Sequence, residues 1–137
     1  MVMHQLRRRL RTADSSASRS GRQRGQAAVE YVGVLTLLLV VALAVAQLGI
    51  AVYVAQQAST ASRSAARVAS DTGQQGQARA VARESMSGWV ADNIQRLDTS
   101  SGFDDVTVTI KVKIPSLLPM LNFGSVEKHA TMPRDGF

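Results

Sequence analysis

From Val32 to Val54 the chain reads VGVLTLLLVVALAVAQLGIAVYV, 23 residues without a charge and with only Thr36 and Gln47 as polar side chains. As a helix this run spans about 35 Å, against a hydrocarbon core of about 30 Å. A secretory signal that is cleaved off has a shorter apolar core, so the run reads as a membrane span. A buried core helix is the competing reading. It fails because the rest of a 137-residue chain is too small to cover a helix that is apolar on every face. Tyr31 and Tyr53 bracket the run, as aromatic side chains do at membrane interfaces.

The flanks give the orientation. Residues 1–25 hold Arg7, Arg8, Arg9, Arg11, Arg19, Arg22 and Arg24 against one acid, Asp14, which accounts for the whole formal charge of +6. Residues 26–137 are formally neutral. The positive-inside bias therefore puts the N-terminus in the cytoplasm and residues 55–137 outside. This basic leader is rich in Ser, Gly and Arg, lacks apolar periodicity, and is expected to be disordered by itself. It contains no aromatic residue on which bases could stack, so the high pI of about 10.8 does not make the chain a nucleic-acid binder.

Between leader and span stands RGQAAVEY, Arg24 to Tyr31. A carboxylate at Glu30 sits next to the apolar run, where ionised groups are costly and are usually paired. Its plain role would be that of an acid in a first helical turn, held in the headgroup layer and favoured by the helix dipole. The full arrangement is more specific: basic leader, Gly25, four small or neutral residues, Glu30-Tyr31, then the span.

This arrangement resembles the class III signal sequence of bacterial type IV pilins, in the Flp/Tad branch with its G-xxxx-E-[YF] pattern. The resemblance implies that a membrane prepilin peptidase cuts between Gly25 and Gln26. Glu30 would become the fifth mature residue and Tyr31 the sixth. Cleavage would create an α-amino group at Gln26, and Glu30 lies at i+4 on the same helix face. In a filament of packed helices Glu30 would neutralise the terminal amine of a neighbour and set the axial register.

The stretch AQQASTASRSAARVASD, residues 55–71, is dense in Ala and Ser with Arg63 and Arg67 four apart. Ala is the best helix former, so one helix is expected from about Gln26 to about Ser70; a low-complexity linker is the alternative. An Ala/Arg-rich stretch behind a membrane helix also resembles TadE-like proteins. Asp71-Thr72-Gly73-Gln74-Gln75-Gly76 breaks the helix and is not a phosphate loop, since no Gly-Lys-Ser/Thr follows. A second helix is expected over Gln77 to Leu97. There Ala78, Val81, Ala82, Met86, Trp89, Val90, Ile94 and Leu97 recur at steps of three and four, and Trp89 is expected as a core anchor.

Val106, Val108, Ile110, Val112 and Ile114 then alternate with Thr107, Thr109, Lys111 and Lys113, a half-buried strand that Pro115 ends. A second strand is expected around Ser125–Met132, giving a hairpin. The connection between them, Ser116 to Gly124, is unusually apolar. It is expected to pack on the helix, with contact to a partner or to the outer leaflet as the alternatives.

The expected architecture is α+β and membrane-anchored: leader 1–25, long helix 26–70 with its span at about 32–54, and an extracytoplasmic helix-plus-hairpin domain over 71–137. The chain offers little to an enzyme. His4 lies in the leader, His129 is isolated, Asp104 and Asp105 are adjacent and suit a turn, and cysteine is absent. Ser87 in Ser-Gly-Trp-Val is no nucleophile elbow. No cofactor, metal or nucleic acid is expected. The resemblance implies a TadE-like minor pilin or pseudopilin, located in the cell membrane or an extracellular pilus. Its partners would be the bilayer, the prepilin peptidase, other pilins and the Tad assembly platform. Major Flp pilins are little more than a leader and one helix, and this chain carries much more. An uncleaved, single-pass anchored protein with an outer binding or envelope-scaffold domain is the alternative.

Overall fold

The computed structural model describes residues 25–71 and 74–134. The expectation of a disordered leader lies outside the described residues. In chain order the elements are α1 (Val2–Ser70), a 3-10 turn (Gln75–Gln77), α2 (Ala78–Glu84), α3 (Gly88–Ala91), β1 (Ile94–Ser101), β2 (Asp105–Lys113) and β3 (Ser125–Pro133). The chain divides into two compact units, Met1–Leu43 and Ala44–Phe137.

In the first unit the described residues are all helical and exposed. Leu37, Leu38, Leu39, Val40 and Val41 are exposed in succession. Consecutive helical residues point about 100° apart, so five in a row present apolar surface on every side. The hydroxyl of Thr36 donates back to the Val32 carbonyl at 2.8 Å, which satisfies it within its own helix. Over Gly25–Ser70 the helix is long and apolar enough to cross a membrane.

The second unit is an α+β sandwich built around β2. Val106, Val108, Ile110 and Val112 are completely buried, while Thr107, Thr109 and Lys111 lie on the opposite, partly open face. This is the period-two pattern expected over 106–114. The strand expected around Ser125–Met132 is present as β3, antiparallel to β2 with Ile110 opposite Lys128. On the outer face the hydroxyls of Thr107 and Thr131 meet across the two strands at 2.8 Å.

The sheet has three strands in the order β1-β2-β3, not the two of a hairpin. The extra strand comes from the far end of the second helix expected over 77–97, which corrects that expectation. Helix survives only in α2 and α3, separated at Ser85-Met86-Ser87, and Asp92-Asn93 turn the chain into β1. Ile94 and Leu97 are three apart, a helical step, yet both pack against the core from a strand. An irregularity in the pairing between Ile94 and Arg96 supplies the extra residue. It brings an odd spacing back to one face of the sheet.

Against the buried face of β2 lies the C-terminal part of α1. Val54, Ala58, Ala61, Ala65 and Ala69 recur at steps of three and four and are fully buried. Arg63 and Arg67 fall on the exposed side of the same turns. The Ala/Ser-rich stretch is thus a helix face of methyl groups, small enough to let the helix sit close to the sheet. Ala78, Ala82, Met86 and Val90 of the α2–α3 segment close the same core.

Candidate functional site

Four residues were expected to carry the chain's chemistry: Gly25, Gln26, Glu30 and Tyr31. All four lie on α1 in the first unit, with exposed side chains. Nothing stands within 4 Å of where a Cβ on Gly25 would be, so the position is open to an approaching enzyme and has no packing need for glycine. Gln26 and Glu30 are one helical turn apart on one face. Tyr31 is 69% exposed. The stretch therefore offers a protein partner a carboxylate, an aromatic ring and an apolar stem on a continuous helical rod.

The second unit contains a polar contact that sequence patterning did not single out. Gln47, one of two polar side chains in the apolar run, is only 5% exposed. Its amide donates to the Pro115 carbonyl at 3.0 Å and its carbonyl accepts from the Leu117 N–H at 3.0 Å. Both hydrogen-bonding functions are thus spent on the backbone of the loop that follows β2. A lone glutamine in an otherwise apolar run was the available signal, because a buried amide has to find partners.

About two to three turns further along α1, Tyr53 and Gln57 hold the start of α3. Gln57 donates to the Tyr53 hydroxyl at 2.9 Å and accepts from the Ser87 N–H at 3.0 Å. Ser87 is the N-cap of α3, so Gln57 satisfies a backbone donor at its start. Trp89 stacks on Tyr53 with ring centroids 5.6 Å apart and an interplanar angle of 13°. Trp89 is 44% exposed and is not the core anchor expected of it; Val90 occupies the buried position instead. The break before Gly88 causes the difference, because α3 starts with a new phase and turns its valine inward.

The apolar loop after β2 also departs from expectation. Leu117, Leu118, Met120, Leu121 and Phe123 all keep large exposed areas, so Gln47 ties the loop's backbone to α1 while its side chains stay outside.

Catalytic machinery does not assemble in the described residues. His129 stands on β3 opposite Thr109. Asp105 opens β2, and Asp104 lies in the preceding bend with its carbonyl accepting from the Arg134 N–H at 3.0 Å. Ser87 serves as a helix cap. Among the described residues there is no group of three or more His, Cys, Asp or Glu placed to hold a metal. Arg63 and Arg67 line a shallow depression with Thr60, Ser64, Val68 and Val81.

No curated protein and no solved structure matches the chain. A family model described as TadE-like protein does match, over residues 25–67. The matched stretch opens at Gly25, contains Gln26, Glu30, Tyr31, the apolar run and Gln47, and ends at Arg67 within α1. Over that stretch the chain is similar to TadE-like proteins, a Tad pilus-associated and structural family.

Proposed function

We propose that the chain is a minor pilin or pseudopilin of a Tad/Flp-type pilus, made as a precursor and processed between Gly25 and Gln26 by a prepilin peptidase. The observation that carries this reading is the TadE-like match over residues 25–67, which begins at Gly25 and runs through an α1 that is exposed on every side from Gly25 to Leu43. Glu30 and Tyr31 form the assembly determinant. After cleavage the carboxylate of Glu30 pairs with the α-amino group of a neighbouring subunit, since an unpaired charge among packed apolar helices is strongly disfavoured. The basic leader stays in the cytoplasm and residues 55–137 lie on the outer side of the membrane. The partners are the bilayer, the peptidase, other pilins and the assembly platform. The protein's work is structural.

A second reading keeps the leader attached and makes the chain a single-pass anchored protein with an outer binding or scaffold domain. It is favoured by the second unit having its own core, in which α1 and the α2–α3 segment cover the buried face of β2. Intact-mass measurement of the membrane-extracted protein, from cells with an active prepilin peptidase, separates the two. The pilin reading expects a chain starting at Gln26; a chain that keeps residues 1–25 overturns it.

A further inference from the structure

We infer that the loop between β2 and β3, residues 115–124, is a second membrane contact: it seats its apolar tip in the outer leaflet beside α1. The inference rests on the reading of α1 as a membrane anchor.

Four observations carry it. No charged residue occurs between Lys113 and Glu127, and the loop's large side chains point out of the protein, with Met120 95% exposed. A loop of this length with five exposed large apolar residues has no gain in water, and gains burial at a lipid surface.

The second observation is level. Counted from Val32, about 20 helical residues cross the hydrocarbon and bring the outer boundary to Ala51. Gln47 is four residues short of that, about 6 Å inside. Gln47 is the residue that holds Pro115 and Leu117. The loop therefore meets α1 at the depth to which interfacial apolar side chains sink, about 5–10 Å.

Third, the stacked pair of Tyr53 and Trp89 lies just beyond that boundary, half-exposed. Aromatic rings with a polar atom at one edge settle at the headgroup level. The pair and the loop thus fix one membrane surface from two separate elements.

Fourth, half of the loop's backbone N–H groups, four of eight, are paired within the loop or to α1. Pro115 and Pro119 lack an N–H. The Leu117 N–H goes to Gln47, that of Leu118 to the Ser116 hydroxyl at 3.1 Å, that of Leu121 to the Leu118 carbonyl at 3.0 Å, and that of Gly124 to the Asn122 side chain at 2.9 Å. This pairing lowers the cost of bringing an irregular segment to the interfacial layer of a bilayer, where unsatisfied backbone groups are disfavoured. Gly124 itself has φ +73°, the left-handed turn through which the chain returns to β3.

Phe103, at the turn between β1 and β2, supplies the control. It is 97% exposed and equally apolar, but stands at the other end of β2, about 27 Å away along nine residues of strand. Apolar exposure alone would send both positions to lipid; the inference sends only one.

The chain lacks cysteine, so single cysteines can be introduced into the full-length protein without background. Leu39→Cys, Phe103→Cys and Met120→Cys would each be labelled with an environment-sensitive fluorophore and reconstituted in phosphatidylcholine vesicles. Lipids carrying a quencher high on the acyl chain would then be added. The expected result is blue-shifted, strongly quenched emission at 39 and 120, and water-like, unquenched emission at 103. Quenching at 39 without quenching at 120 overturns the loop contact and leaves the anchor intact. Absence of quenching at 39 overturns the anchor reading, and the loop contact with it. A label at 120 that is shielded from lipid quencher and iodide alike, with transfer between labelled copies that grows with protein density, assigns the loop to a second copy and refutes the inference.

Discussion

Replacing Gln47 with Met tests how the outer unit is fastened to its helix. Methionine has nearly the same length and fills the same space with no donor and only a weakly accepting sulfur, so the substitution removes the amide's hydrogen bonds and leaves packing in place. In the wild-type chain the side chain of Gln47 serves the Pro115 carbonyl and the Leu117 N–H, both at 3.0 Å, from a site only 5% exposed. A backbone group left unsatisfied in such a site costs about 1–3 kcal/mol. For the Leu117 amide that corresponds to an opening equilibrium about 5- to 150-fold more favourable. The assay is amide hydrogen exchange on the full-length protein in detergent micelles. Leu117 should exchange about 5- to 150-fold faster in Gln47→Met, while the amide of Ile110, in the centre of the sheet, should change far less. Leu117 exchanging at its wild-type rate in the variant would refute the reasoning, because the amide would then owe its protection to something other than Gln47.

Gly25→Leu should abolish processing, because the proposed cut follows this residue; mass spectrometry showing the same N-terminus as wild type would count against the site. Glu30→Ala should be processed normally and yet be missing from sheared pili; its recovery at wild-type level would remove the pairing role. Ile110→Ala opens a cavity at a completely buried position and should lower the unfolding free energy by about 2–5 kcal/mol in chemical denaturation. A loss below about 1 kcal/mol would mean that the core does not close over β2. Ala65→Leu forces a larger side chain between α1 and the sheet and should cost about 1–3 kcal/mol. Arg67→Leu, two residues on but facing solvent, should stay within about 0.5 kcal/mol; equal losses would show that the Ala face is not in the core.

Elements governed by a local rule were legible directly. The apolar run specifies a helix that no small domain can wrap, and the helical ending at Ser70 follows from Ala-rich sequence running into a glycine-containing break. The alternation from Val106 to Ile114 gives both the strand and its buried face, because a strand's side chains change sides at every residue. The spacing from Gly25 to Tyr31 likewise lies along one helix with its side chains exposed, and the roles assigned to it belong to the proposal.

The stretch from Ser85 to Leu97 was not legible in this way. Its apolar residues satisfy a helical period, and only the pairing of Ile94–Ser101 with β2, helped by the irregularity at Ile94/Arg96, makes it a strand. The hydrogen bonds of a central strand need partners on both sides, and that demand comes from β2, which lies further along the chain. Trp89 depends on the same break, since α3 begins in its own phase and presents Val90 to the core.

What the sequence by itself determined is therefore what short-range chemistry can dictate: an apolar helix, its charge asymmetry, an alternating strand and a junction of fixed spacing. Tertiary structure alone decided that a third strand completes the sheet, that Trp89 stacks on Tyr53, and that the apolar loop stays exposed. It also decided that Gln47 fastens that loop from a position 70 residues earlier than Leu117. The physical reason is common to all of these. A side chain's partner across the fold is set by which backbone groups and apolar faces remain unsatisfied after local structure has formed, and no local window of sequence contains that information.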